Sequence, residues 1–447
     1  MKKKDYLILG IIALSFFWTG SAYISVAYRL MESYSAMDID IYHVIIGYLL
    51  QALGMLLFAL GVRRKPDINT NKRYFVFILI AEAAVITAAM LSKWDVLSFG
   101  LAFVMNLMHG MVAGFYLTLL SSYVQQQYRG RVFGFGYAFG SVGSWILSMP
   151  FGGNFLKMDG IVIVYIFLIG ITLLMTSKLS NDNSMSYDTS SRNNDKPSVL
   201  VYIFVVLVLL SLVKNIGFYF PASDISGVIN LEFSRAFYAV GLIAAGIISD
   251  MNRRYGAICC VAALAFSFFS FALNSNPGFS VVVWILGYVF FGFFSVYRVV
   301  VFSDIASKKA SLLPLAAFGL MAGRIGDSFG TICGVLLSEK IIPLILITSG
   351  LFVLVIFMFF PLYNKLYSAT MTESERKELQ YEDFEKKYTL SRRESEVFRL
   401  VVQGLSNLEI SGALYVSEST IKYHVGNILK KAGCSNRNEL TLRFRSN

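Results

Sequence analysis

Long runs of apolar residues recur along most of this chain, each close to the length an α-helix needs to cross a bilayer. A hydrocarbon core about 30 Å thick takes about 20 helical residues. Twelve segments meet that measure: roughly 6–28, 41–62, 74–92, 98–122, 132–149, 160–177, 198–220, 233–249, 255–273, 280–303, 313–335 and 341–362. Backbone in lipid must satisfy its own hydrogen bonds, so segments of this kind fold as helices. One long polar gap, SKLSNDNSMSYDTSSRNNDKPS from Ser177 to Ser198, divides them six and six. Its Ser, Asn and Asp content buries too little to fold, so residues 179–197 are expected to be a flexible tether between membrane halves 1–178 and 198–362.

Composition agrees: 56% of the residues are hydrophobic and 15% charged, against about 25% charged in soluble domains. The net charge of +11 is distributed unevenly. Seventeen Lys and Arg fall on one set of alternate connections, from Lys2–Lys4 through Arg63, Arg64 and Lys65 to Lys308 and Lys309. The other set holds five: Arg29, Lys93, Lys157, Arg235 and Lys340. Basic loops stay in the cytoplasm, so both termini are expected there, in a multi-pass protein of the inner (cytoplasmic) membrane. The start, MKKKDYLILGIIALSFFWTG, shows no small-x-small cleavage site and reads as an uncleaved first helix. Cys259, Cys260, Cys333 and Cys434 show no ligand spacing, so neither disulfide nor metal is expected.

Six segments, a polar gap and six more resemble the major facilitator superfamily. GIISDMNRRYG (Gly246 to Gly256) looks like that family's G-x-x-x-D-x-x-x-R-x-G loop, and Gly-rich RGRVFGFGYAFGSVG (Arg129 to Gly143) resembles its fourth-to-fifth connection. The resemblance implies that Asp250 approaches the end of a neighbouring helix and that Arg253 and Arg254 hold the cytoplasmic gate. GVRRKPDINTNKR (Gly61 to Arg73), the matching loop of the first half, lacks the motif's glycine and aspartate order, which argues against ordinary transport.

Residues 389–447 have a different texture. Ser391 with Glu394 three residues on makes a capping box, and Val397, Leu400 and Val401 follow at helical spacing. Gly404 ends that helix, Ser406 starts a short second one, and Ser417 caps a third. A tight turn between two short helices lets the third stand out into a DNA major groove. LSRRESEVFRLVVQGLSNLEISGALYVSESTIKYHVGNILKKAGCSNRNELTLRF (Leu390 to Phe444) resembles the LuxR-type helix-turn-helix, a four-helix domain, with Glu394, Gly404, Glu409, Thr420, Lys422, Val425, Lys431 and Arg437 among the matching positions. The resemblance implies that Lys422 and Tyr423 reach base edges, while Ser417, Thr420, Asn427, Lys430 and Lys431 are candidate phosphate contacts. Gly426 stands where relatives often carry a polar or basic side chain, and Ala432 replaces a usual leucine. The contrary reading is a degenerate module used only for protein contacts. Charged residues 363–388 (YNKLYSATMTESERKELQYEDFEKK and flank) form a possible helical linker, either a solvated spacer or a relay. Membrane helices occupy the place where a phosphoacceptor domain would precede the module.

Charges at membrane depth face a cavity or a partner. Glu82, His109, Lys214, Arg298, Arg324 and Asp327 are those candidates. Arg324 and Asp327 stand i, i+3 and have a bland reading, mutual neutralisation. The sharper one is a central cavity lined by Lys214, Arg298 and Arg324, with His109 a further ligand-binding candidate and Tyr219, Tyr288 and Tyr297 nearby, suited to an anionic, aromatic small molecule. No nucleotide loop, catalytic triad or metal cluster is legible, so no enzyme activity and no cofactor are expected. The sequence thus predicts an all-α chain, a polytopic membrane bundle of 6+6 helices followed by a DNA-binding domain. Its expected role is a one-component transcription regulator: a small molecule acts on the membrane half, and a homodimer reads an inverted repeat of DNA. The alternative is a secondary transporter with a regulatory tail.

Overall fold

The computed structural model describes residues 1–35, 38–65, 72–148, 158–179, 197–222, 234–266, 277–337, 340–367 and 373–445. The expected tether lies almost wholly outside these. The chain divides into two compact units, Met1–Leu366 and Tyr367–Asn447.

Among the described residues of the first unit an α-helix falls in each of the twelve apolar segments. In the first half these are α1 (Lys3–Met31), α2 (Gly47–Arg64), α3 (Lys72–Leu91), α4 (Asp95–Tyr123), α5 (Arg129–Ser148) and α6 (Met158–Ser177). The second half has α7 (Pro197–Ala222), α8 (Tyr238–Met251), α9 (Arg253–Leu264), α10 (Pro277–Ala306), α11 (Phe318–Leu337) and α12 (Ile341–Tyr367). A π-helical turn, Ile39–Ile46, leads into α2. Among the described residues nine stretches are long and apolar enough to cross a membrane; α5, α8 and α9 are not among them. Phenylalanines and leucines such as Phe77, Phe167, Leu346 and Phe357 point outward, as lipid-facing side chains do.

Small residues decide which helices touch. On α5, a Cβ at Gly134 would sit 2.5 Å from the carbonyl oxygen of Leu242 on α8, and one at Gly130 would meet the oxygen of Gly246 at 2.6 Å. Only glycine permits backbones that close, the device by which membrane helices pack without a hydrophobic driving force. The two halves are joined along α5–α8 and α2–α11, and by single hydrogen bonds such as Ser328 Oγ to the Ile45 carbonyl at 2.9 Å.

The second unit is helical too: α13 (Glu373–Lys387), α14 (Arg392–Val402), α15 (Asn407–Leu414), α16 (Glu418–Ala432) and α17 (Arg437–Arg445). Four of these were expected as the module; α13 lies in the segment read as a possible helical linker. Within the segment 363–388 read as spacer or relay, Phe384 is fully buried and stacks on Phe398 of α14 with centroids 4.6 Å apart. Tyr381 stacks on Phe444 of α17 at 4.7 Å, and Gln380 Nε2 donates to the Phe444 carbonyl at 2.7 Å. Arg399 is held by Glu378 at 2.6 Å and Glu385 at 2.8 Å. The helix is therefore part of the module's core and not a free spacer. Charge count alone hid this, because two aromatic residues one turn apart carry the packing while Glu378, Glu382, Asp383, Lys386 and Lys387 stay exposed.

Candidate functional site

The local fold of the second unit presents one helix face. Ser391 and Ser406 each cap a helix reciprocally with the glutamate three residues on, Glu394 and Glu409. At the end of α15 Tyr415 takes a left-handed conformation, φ 56°, and reverses the chain. Ser417 then caps α16, accepting from the Thr420 N–H at 3.2 Å. Ile421, Val425, Ile428 and Ala432 recur at helical spacing and are buried against α14 and α15. The opposite face is bare: Lys422, Tyr423, Gly426 and Lys430 are exposed, Tyr423 by 67%.

The seven residues expected at DNA divide accordingly. Lys422, Tyr423 and Lys430 lie on the open face and Asn427 at its half-buried edge. Lys422 is held loosely by Glu418 at 2.9 Å, a solvent-exposed pair worth little. The Ser417 and Thr420 hydroxyls lie 2.7 Å apart in the cap. Lys431 differs from expectation: its ammonium is bound to Glu394 at 2.6 Å and to the Thr389 carbonyl at 3.0 Å, which ties α16 back to α14. A Cβ at Gly426 would meet nothing within 4 Å, so the space that a larger residue would fill is open.

The membrane unit encloses a cavity of about 290 Å³ between α1, α2, α4, α5, α8, α10 and α11. Tyr23, Tyr48, Tyr116, Tyr137, Tyr238 and Tyr288 line it with Phe16, and Gln51, His109, Arg235 and Arg324 supply polar groups. Of the four expected ligand residues the structure brings His109 and Arg324 to the wall; Lys214 and Arg298 lie elsewhere. Lys214 Nζ is 2.8 Å and Arg298 Nη1 3.6 Å from the carboxylate of Asp327. Asp327 therefore pairs with those two cations, its single charge shared between them, rather than with Arg324 as the i, i+3 spacing implied. The α11 helix turns Arg324 and Asp327 to different neighbours. The Arg324 guanidinium lies over the Tyr48 ring, 4.5 Å from its centroid, and its Nε has no hydrogen-bond partner among the described residues. Tyr288 lines the cavity as expected and Tyr297 does not; the Tyr219 side chain lies outside the described residues. The other tyrosines have no periodicity that marks them, so sequence reasoning missed them.

At one end of the bundle Asp250 accepts from the N–H groups of Gly130 and Arg131, both at 2.8 Å, at the start of α5. Arg253 joins Asp250 to Asp304, 2.8 Å from each, and Arg129 adds a bond of 2.9 Å to Asp304. Asp250 thus sits at a helix N-terminus, where backbone donors and dipole favour a carboxylate. Asp304 was not foreseen; only the fold brings it across from α10.

Residues 388–444 match the family of bacterial regulatory proteins, luxR family. The spore germination protein GerE of Bacillus subtilis (strain 168) is 36% identical over 62 residues, 14% of this chain and 84% of that protein. The chain belongs to the LuxR family of bacterial regulatory proteins. The regulator YhcZ of the same organism is 45% identical over 58 residues, and DegU of Brevibacillus brevis 41% over 70. Those matches span 13% and 15% of this chain and only 27% and 30% of the two relatives, so this LuxR-family chain shares with them the DNA-binding module alone. The crystal structure of the human organic anion transporter MFSD10 (TETRAN) superposes with a TM-score of 0.58 at 13% identity, over 80% of this chain and 100% of that one. The membrane unit has the major-facilitator fold.

Proposed function

We propose that the chain is a membrane-embedded one-component transcription regulator, working by binding and not by catalysis. The observation that carries this is the fusion itself: a LuxR-type module with a bare recognition face shares one chain with a major-facilitator bundle that holds a polar, aromatic cavity. In this reading a small organic anion enters the cavity, with Arg324 and the tyrosines as its contacts. A ligand shifts such a bundle only by its differential affinity for two conformations. The consequence is a change in how two modules meet on an inverted repeat, since paired recognition helices sit one turn of DNA apart. Lys422, Tyr423 and Lys430 are the proposed readers, with Ser417, Thr420 and Asn427 at the phosphates and Lys431 in a bracing role. The basic-loop count supports a cytoplasmic-membrane location with both termini inside.

The test is a reporter on the chain's own and neighbouring promoters, challenged with a library of small organic anions. A response lost in Lys422→Ala, with the protein still in the membrane, supports the assignment. Intact promoter binding by that variant counts against it. The structural neighbour's printed role favours one second reading, a secondary transporter with a regulatory tail. Uptake of a labelled anion that persists in Lys422→Ala without any transcriptional response would favour that reading.

A further inference from the structure

Behind the cavity wall the first membrane half buries an acid that nothing conventional neutralises. Glu82, on α3, has no solvent exposure, and neither of its oxygens has a hydrogen-bond partner among the described residues. The ionisable group in contact with it is His109 of α4, whose Nε2 lies 3.2 Å from Oε1 but off the direction of a hydrogen bond. A carboxylate and an imidazole enclosed together avoid an uncompensated charge by keeping one proton between them, as acid with neutral ring or as ion pair. This pair is not sealed, because His109 also forms part of the cavity wall.

The surrounding elements add aromatic and amide groups and, across the cavity, two arginines. From α1 comes Trp18, edge-on to His109 with centroids 6.1 Å apart and its Nε1 unpartnered among the described residues. From α2 come Tyr48 and Gln51, the latter bonded to Asn106 at 2.6 Å. On α6 the Tyr165 hydroxyl is bonded to Ser25 at 2.7 Å. Arg324 of α11 and Arg235 line the same cavity as His109, and His43 of the π-helical turn stacks on Tyr23 with centroids 4.2 Å apart. Arg298 of α10 is held beside Asp327.

We propose that Glu82 and His109 form a proton-binding site in the cavity wall. A hydronium ion in the cavity gives its proton to the imidazole, the ring passes it to the carboxyl, and water is left behind. With one proton the pair is neutral; with a second it carries a positive charge beside Arg324. An anion in the cavity therefore binds together with a proton, and by linkage each raises the other's affinity equally. The chain then reads acidity along with its ligand. This goes beyond the sensing reading and does not depend on the DNA contacts.

Infrared difference spectra of the full-length protein in lipid nanodiscs, without ligand or DNA, test it between about pH 5 and 8, where an imidazole ordinarily titrates. The expected result is a carboxylic C=O stretch that grows or shifts reversibly with pH. It should be lost in Glu82→Gln and displaced in His109→Gln, which retains the acid. Glu82→Asp, which moves the band without removing it, assigns the signal where Glu82→Gln does not fold. A spectrum with no Glu82-dependent change over this range overturns the proposal, and so does a Glu82 band unmoved in His109→Gln. Either failure leaves the regulatory reading intact, just as promoter binding by Lys422→Ala would leave this one intact.

Discussion

Replacing Phe384 with alanine tests whether α13 belongs to the DNA module. Its ring is fully buried, stacked on Phe398 and edge-on to Phe444 at 5.7 Å, so its removal leaves a cavity that three helices cannot readily close. Phe→Ala in a core costs about 3–5 kcal/mol. A unit the size of Tyr367–Asn447 has a total stability of about 4–12 kcal/mol at ordinary values per residue. With a urea slope near the low end of about 1–3 kcal/mol/M, the midpoint should fall by about 2–4 M, or cooperative unfolding should vanish. The assay is urea denaturation of the soluble piece 373–447, followed by circular dichroism. Lys386→Ala, whose side chain is 78% exposed, is the control and should shift stability by no more than about 0.5 kcal/mol. A Phe384→Ala midpoint within that same margin would refute the reasoning and return α13 to the status of a spacer.

Glu394 carries a stability that depends on pH. Burial by itself would raise its carboxyl, but hydrogen bonds from Lys431 and Ser391 outweigh burial and hold it below the usual glutamate value. The folded form therefore binds its proton more weakly than the unfolded chain. Its contribution is present above the ordinary value of about 4.3 and lost as pH falls through the depressed one, so acid melts of the module should be steeper there in the native chain than in Glu394→Gln. In the membrane unit, Arg324→Met should raise the concentration of an identified anionic inducer needed for half response by about 10-fold or more, the worth of a charge-assisted hydrogen bond. Lys214→Met should instead lower the amount of folded protein, because it strips a partner from buried Asp327. Thermal melts in detergent should separate two glycines. Gly134→Ala forces a Cβ to 2.5 Å from a backbone oxygen and should destabilise by about 1–3 kcal/mol, whereas Gly170→Ala meets nothing within 4 Å and should be neutral or stabilising.

Much of this molecule was legible before any coordinates. Apolar length alone marked the stretches that become α1 to α12, because a lipid solvent leaves a continuous apolar segment little choice but a helix. Local capping chemistry announced the module: Ser391, Ser406 and Ser417 each cap the helix that begins beside them, since a cap is settled within four residues of chain. That Lys422 and Tyr423 face outward came from the LuxR-type resemblance, and the burial of Ile421, Val425 and Ile428 on the other side of α16 accounts for it.

What required tertiary structure was every choice among partners far apart in the chain. Spacing paired Asp327 with Arg324 on its own helix; the fold gave that carboxylate to Lys214 and Arg298, because α7 and α10 arrive on the side of α11 where Asp327 points. The same event left Arg324 over Tyr48 in a cavity whose tyrosines come from α1, α2, α4, α5, α8 and α10. Likewise Phe384 lies in a segment whose composition reads as solvated, and only its stacking on Phe398 and Phe444 makes it core. Local sequence sets what a helix is and where it ends. Which cation finds which acid is set by helix packing, through glycines that let particular pairs of backbones approach closely.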